Sequence, residues 1–84
     1  MMSSWPERFE QMLSAHLPED ADADRRWDPA DVLRDHGIDS LAVVGLMMDV
    51  EDEFGFVFPD DKVTMETFRT AGSLWGVVAE QITA

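Results

Sequence analysis

Eighty-four residues, 45% of them hydrophobic and including three Trp and five Phe, suffice for one small domain with its own core. Six basic residues against eighteen acidic ones give a formal charge of −12, which argues against nucleic acid, whose binding rests on neutralising phosphates with Lys and Arg. The chain has no cysteine, so disulfides and thiolate metal sites are excluded, and no apolar run approaches the length of a membrane span. The N-terminus also lacks the basic-then-apolar pattern of a secretory signal, so a cytoplasmic location is expected. The negative charge serves solubility and suits steering toward proteins with basic docking patches.

In chain order, Ser4-Trp5-Pro6-Glu7 reads as a capping box opening a first helix over about 4–17. Pro6 is tolerated in the first turn, where its missing N–H would lack a partner anyway. Trp5, Phe9, Met12, Leu13 and His16 form an apolar stripe, and Pro18 biases Leu17 away from helical geometry. His16 should lie at the helix C-terminus, where a basic group meets the dipole favourably. A long first loop follows over 18–39; its first part, to Ala30, has no periodicity, and Trp27 is expected to pin it to the core. Asp28-Pro29 should lead into a short turn of helix through Arg34, anchored by Val32 and Leu33.

Gly37 then turns the chain, and Asp39 is a good N-cap for a helix over 40–54 beginning at Ser40. This helix has more apolar residues than one buried stripe needs. Val43, Met47, Val50 and Phe54, with Leu46 beside them, make one face; Leu41, Val44 and Met48 make a second row that starts next to Ser40. The first is expected in the core and the second at a surface for partners, where a methionine suits contact with several enzymes in turn. Beyond Gly55, Phe56 and Phe58 should lay two rings on the core. Thr64 is expected to cap a short helix over 64–69, and Thr70 a last helix over 71–83 with Ala71, Leu74, Val78 and Ile82 inward and Trp75 and Val77 at the border. The fold class is therefore all-α: a small four-helix bundle of three main helices and one short helix, in a single domain, 1–84.

Four stretches together resemble the acyl and peptidyl carrier protein family. Gly37-Ile38-Asp39-Ser40-Leu41 is similar to its G-x-D-S-L signature, and Asp31-Val32-Leu33 to the short apolar anchor upstream. Glu51 to Asp60 resembles E-E-x-F-G-x-x-I-P-D, and Phe68 to Leu74 resembles the F-x-T-x-G-x-L start of the last helix, so the likeness spans about residues 28–80. It implies that Ser40 carries 4′-phosphopantetheine, delivered from coenzyme A by a phosphopantetheinyl transferase using magnesium, and that Asp39 contributes to recognition by the transferase. It further implies an acyl or aminoacyl thioester, an adenylating or acyl-loading enzyme, and downstream synthase or tailoring enzymes. Where fatty-acid carriers have acidic residues two and five positions after the serine, this chain has Ala42 and Gly45. That favours a more apolar interface, as in aminoacyl or peptidyl carriers, and a free-standing, monomeric carrier of polyketide or nonribosomal peptide type is expected.

The residues themselves argue against autonomous catalysis. A nucleophilic serine needs a base oriented by a third group, the only imidazoles are His16 and His36, and the G-x-S-x-G elbow is absent. His36 stands where the family often has leucine and reads as a loop side chain. An acceptor serine needs only exposure and rigid presentation, and a helix N-terminus favours the phosphodiester that modification leaves. Two other readings compete. One is a carrier-like interaction module that is never modified. The other is calcium binding, with Asp20, Asp22 and Asp24 at the first, third and fifth positions of an EF-hand loop and Asp28 and Asp31 at the ninth and twelfth. There the sixth position, which demands Gly, is Arg25, and the tenth is Pro29, so no metal site is expected.

Overall fold

A computed structural model describes residues 5–17 and 27–83. Three α-helices carry the fold: α1 (Glu7–Ala15), α2 (Ser40–Phe54) and α3 (Ala71–Thr83). Single turns of 3-10 helix occur at Arg34–His36 and Asp60–Lys62, and the described residues contain no strand beyond one isolated bridge between Val32 and Thr70. The expected all-α fold class is observed.

One core joins the three helices. Phe9 and Leu13 of α1, Leu46 and Val50 of α2, and Ala71, Leu74 and Val78 of α3 are buried, together with Leu33, Ile38, Phe58 and Phe68 from the connections. Val43, Met47 and Phe54 of α2 pack at its edge, as do Trp75 and Val77. Trp75 lies between the rings of Phe9 and Phe54, at centroid distances of 5.0 and 5.8 Å. Ile82 departs from its expected place: it is exposed, because α3 extends a full turn past Val78, the last helix residue in the core.

The helix ends depart from expectation at two places. Helix α1 starts at Glu7 with Pro6 as a cap that makes no side-chain bond, and Ser4 of the expected capping box lies outside the described residues. The segment 64–69 is a run of turns, not a short helix. Thr64 does cap one turn, since its hydroxyl accepts from Thr67 N–H at 3.2 Å. Helical continuation fails because tertiary partners claim the next residues: Phe68 is buried, and Arg69 C=O accepts from Leu33 N–H at 3.0 Å.

Residues 28–33 run beside the start of α3. Ala71 N–H donates to Asp31 C=O (3.0 Å) and Gly72 N–H to Pro29 C=O (2.9 Å). Gly72 is required at this crossing, since a Cβ there would stand 2.8 Å from the Pro29 oxygen. Thr70 and Ser73 exchange bonds at the α3 N-terminus: each hydroxyl accepts from the other's N–H, at 2.9 and 3.0 Å. Trp27 pins the end of the first loop as expected. It is buried, its indole donates to the Ser14 hydroxyl (3.1 Å), and its N–H donates to Glu10, which also accepts from the Trp5 indole.

Candidate functional site

The turn that leads into α2 is built from both sides. Leu33 and Ile38 are buried, and Ile38 N–H donates back to Leu33 C=O at 3.1 Å. Between them Gly37 adopts φ 96°, the left-handed region open to glycine. Asp39 follows in extended geometry and caps α2, its carboxylate accepting from Ala42 N–H at 3.0 Å while its carbonyl takes the first helical bond from Val43 N–H. Ser40 is thus the first residue of α2. It is exposed, and its hydroxyl has no hydrogen-bond partner among the described residues.

The other two described serines are committed: Ser14 accepts from Trp27, and Ser73 is locked in the Thr70 box. Downstream of Ser40, the row Leu41, Val44 and Met48 lies on the solvent side of α2, 84%, 52% and 60% exposed. Gly45, beside that row, faces the His16 ring, whose Cε1 would lie 3.1 Å from an added Cβ. His16 Nε2 in turn meets Asp49 Oδ2 at 2.6 Å, so the side chain of the residue that follows α1 spans a full turn of α2.

The family model for the phosphopantetheine attachment site matches residues 8–78. The chain belongs to that family. Its members are sites of covalent 4′-phosphopantetheine attachment, and a carrier domain of this kind is non-catalytic. The fold is similar to chains in two crystal structures of the Bradyrhizobium japonicum glycine:[carrier protein] ligase. One holds the ligase with glycylated carrier protein (30% identity, TM-score 0.64, 84% of this chain and 89% of that chain covered). The other holds it with its cognate carrier protein and an analogue of glycyl adenylate (28% identity, TM-score 0.68, 89% and 91% covered).

The donor set at the start of α2 fits a phosphopantetheine phosphodiester. Asp39 satisfies Ala42 N–H and Val43 N–H, which leaves the Ser40 and Leu41 amides as the first-turn donors without an intrahelical acceptor. These and the positive end of the helix dipole suit a phosphate anion on the Ser40 oxygen.

The acidic residues further along α2 are mostly engaged within the protein. Asp49 is held by His16, and Glu51 accepts from Phe58 N–H at 2.8 Å. Glu53 meets Arg8 at 3.2 Å, and the Arg8 guanidinium also lies 4.4 Å from the centre of the Phe54 ring. The carboxylates that would complete a calcium loop are likewise occupied. Asp28 accepts from Ala30 N–H; Asp31 accepts from Asp28 N–H and faces His36 Nε2 at 3.5 Å. Asp20, Asp22 and Asp24 lie outside the described residues.

Sequence reasoning missed two features of this surface. Val63, just before the segment read as a helix, and Met65, inside it, are both exposed, an orientation that a helical assignment hid. The His16–Asp49 pair joins residues 33 positions apart, and its one visible signal was the glycine at position 45.

Proposed function

We propose that this carrier holds an aminoacyl group as a thioester on 4′-phosphopantetheine attached through Ser40, and presents it to partner enzymes. One observation carries the assignment: of the described serines, Ser40 alone pairs an unbonded, exposed hydroxyl with a capped helix N-terminus. When attached, the arm supplies the thiol that a chain without cysteine lacks.

Each residue of the turn has a task. Gly37 reverses the chain, Asp39 fixes the first turn of α2 and takes part in recognition by the transferase, and Ser40 offers its oxygen to form the phosphodiester. The base that takes the serine proton belongs to the transferase, because neither described imidazole is hydrogen-bonded to the Ser40 hydroxyl: His16 meets Asp49 and His36 faces Asp31. The likeness to carriers bound to a glycine ligase supports an adenylating amino acid ligase as the loading enzyme, ahead of downstream synthase or tailoring enzymes. Leu41, Val44 and Met48 form the face these enzymes meet. In this role the chain acts as a monomeric, cytoplasmic carrier in biosynthesis of polyketide or nonribosomal peptide type.

Incubation of the full chain with coenzyme A, magnesium and a broad-specificity transferase tests the assignment by intact mass. The mass is expected to rise by one phosphopantetheine unit, and Ser40→Ala to abolish the rise. Labelling at Ser3, Ser4, Ser14 or Ser73 refutes the role of Ser40, and no labelling of the wild-type chain leaves the unmodified interaction module as the better reading.

A further inference from the structure

The turn before Ser40 depends on a glycine, and a glycine holds a geometry only as well as its flanks do. On the C-terminal side the flank is secure, since Ile38 is buried and its N–H is bonded to Leu33. On the N-terminal side the flank is His36, which is only half-buried. Its ring meets the buried Trp27 edge-on, with centroids 5.3 Å apart, and its Nε2 stands 3.5 Å from Asp31 Oδ1.

Both partners are themselves fixed. Trp27 is bonded to Ser14 and Glu10 of α1, and Asp31 is tied through its carbonyl to Ala71 of α3. His36 therefore connects the turn to α1 through an indole and to α3 through a carboxylate.

We infer that His36 is a positioning residue for the Ser40 hydroxyl, holding the N-terminal flank of Gly37 against Trp27 and Asp31 so that the turn is presented in one geometry. The inference rests on Ser40 being the attachment point. His36 does no chemistry at the phosphodiester; it acts through the backbone of Gly37 and Asp39. Loss of the ring leaves the N-terminal flank held by its main-chain bonds alone, Gly37 N–H to Arg34 C=O and His36 N–H to Leu33 C=O, and the transferase then meets a wider set of turn geometries.

The test compares wild type, His36→Ala and His36→Phe, the last of which keeps an aromatic ring against Trp27. The transferase and coenzyme A give KM and kcat for the apo carrier, and amide hydrogen exchange of the apo protein gives local opening without any enzyme. An edge-on aromatic contact is worth about threefold to tenfold in an equilibrium, so His36→Ala should raise KM by about that factor and leave kcat unchanged. Exchange at His36, Gly37 and Ile38, whose N–H groups are bonded to Leu33 and Arg34, should quicken by a similar factor while the Leu46, Val50 and Leu74 amides keep their protection. His36→Phe should restore most of both effects.

Unchanged KM and unchanged exchange in His36→Ala overturn the inference. So does exchange that quickens equally in all three helices, which marks His36 as a contributor to global stability alone. If the wild-type chain is not modified at Ser40, the attachment assignment fails first, and the exchange data still decide whether His36 holds the turn.

Discussion

Truncating the exposed row on α2 separates an apolar docking face from an electrostatic one. Full burial of a Leu or Met side chain is worth about 1.5–3 kcal/mol. Leu41 is 84% exposed and Met48 60% exposed, so docking has most of that area still to gain. Allowing for the Cβ that alanine keeps, Leu41→Ala should cost about 1–2 kcal/mol of docking and Met48→Ala about 0.7–1.3 kcal/mol. These correspond to about fivefold to thirtyfold and about threefold to ninefold in kcat/KM for loading. The two residues are two helical turns apart, roughly 10 Å, so the double variant should show nearly the sum of the two losses. Neither side chain is in the core, and melting curves should shift little. Exposed ion pairs contribute at most about 1 kcal/mol and are screened by salt. Here Asp49, Glu51 and Glu53 already have internal partners, which leaves less charge for a docking enzyme to use. The assay is loading by an amino acid ligase that accepts the chain, at low and moderate salt, for wild type, both single variants and the double variant. Loading that survives all the substitutions but collapses on raising salt refutes the reasoning.

Asp39→Ala should lower stability by about 1 kcal/mol through loss of the α2 cap, with Asp39→Asn recovering most of it, as read by chemical denaturation. Gly72→Ala should destabilise by about 1–3 kcal/mol, because the new Cβ meets the rigid Pro29 carbonyl at 2.8 Å; an unchanged melting curve would show that this crossing can relax. Gly45→Ala sets about 1 kcal/mol of improved helix propensity against a 3.1 Å approach to His16, so it should be close to neutral alone and stabilising in a His16→Ala background.

Where both ends of an element are punctuated locally, the sequence was sufficient to place it. Helix α2 runs from Ser40 to Phe54 as expected because Asp39 caps one end and Gly55, at φ 71°, ends the other. The exposed Ser40 hydroxyl was legible for the same reason: a cap followed by a serine is a local pattern. Thr64 gave an equally good start signal, yet no helix follows it, since Arg69 and Thr70 are drawn into pairing with Val32 and Leu33, far away in sequence. Ile82 kept the helical period of the core face but lies beyond the reach of the core itself. The contacts of His16 with Asp49 and of His36 with Trp27 have no period at all. They arise only once α1, the first loop and α2 are brought together.

The seam between residues 28–33 and the start of α3 is made of main-chain bonds: Leu33 to Arg69, Ala71 to Asp31, and Gly72 to Pro29. Main-chain bonds are indifferent to side-chain identity, apart from the space that Gly72 must leave open. The frame under the Gly37 turn is therefore open to redesign. Exposed positions beside it, such as Ala30, Arg34 and Arg69, offer places to graft new recognition chemistry without re-engineering the support beneath Ser40. A library varied at those surface positions, with Gly72 and the buried Leu33 and Ile38 left untouched, would alter which enzymes meet the turn while leaving its scaffold in place.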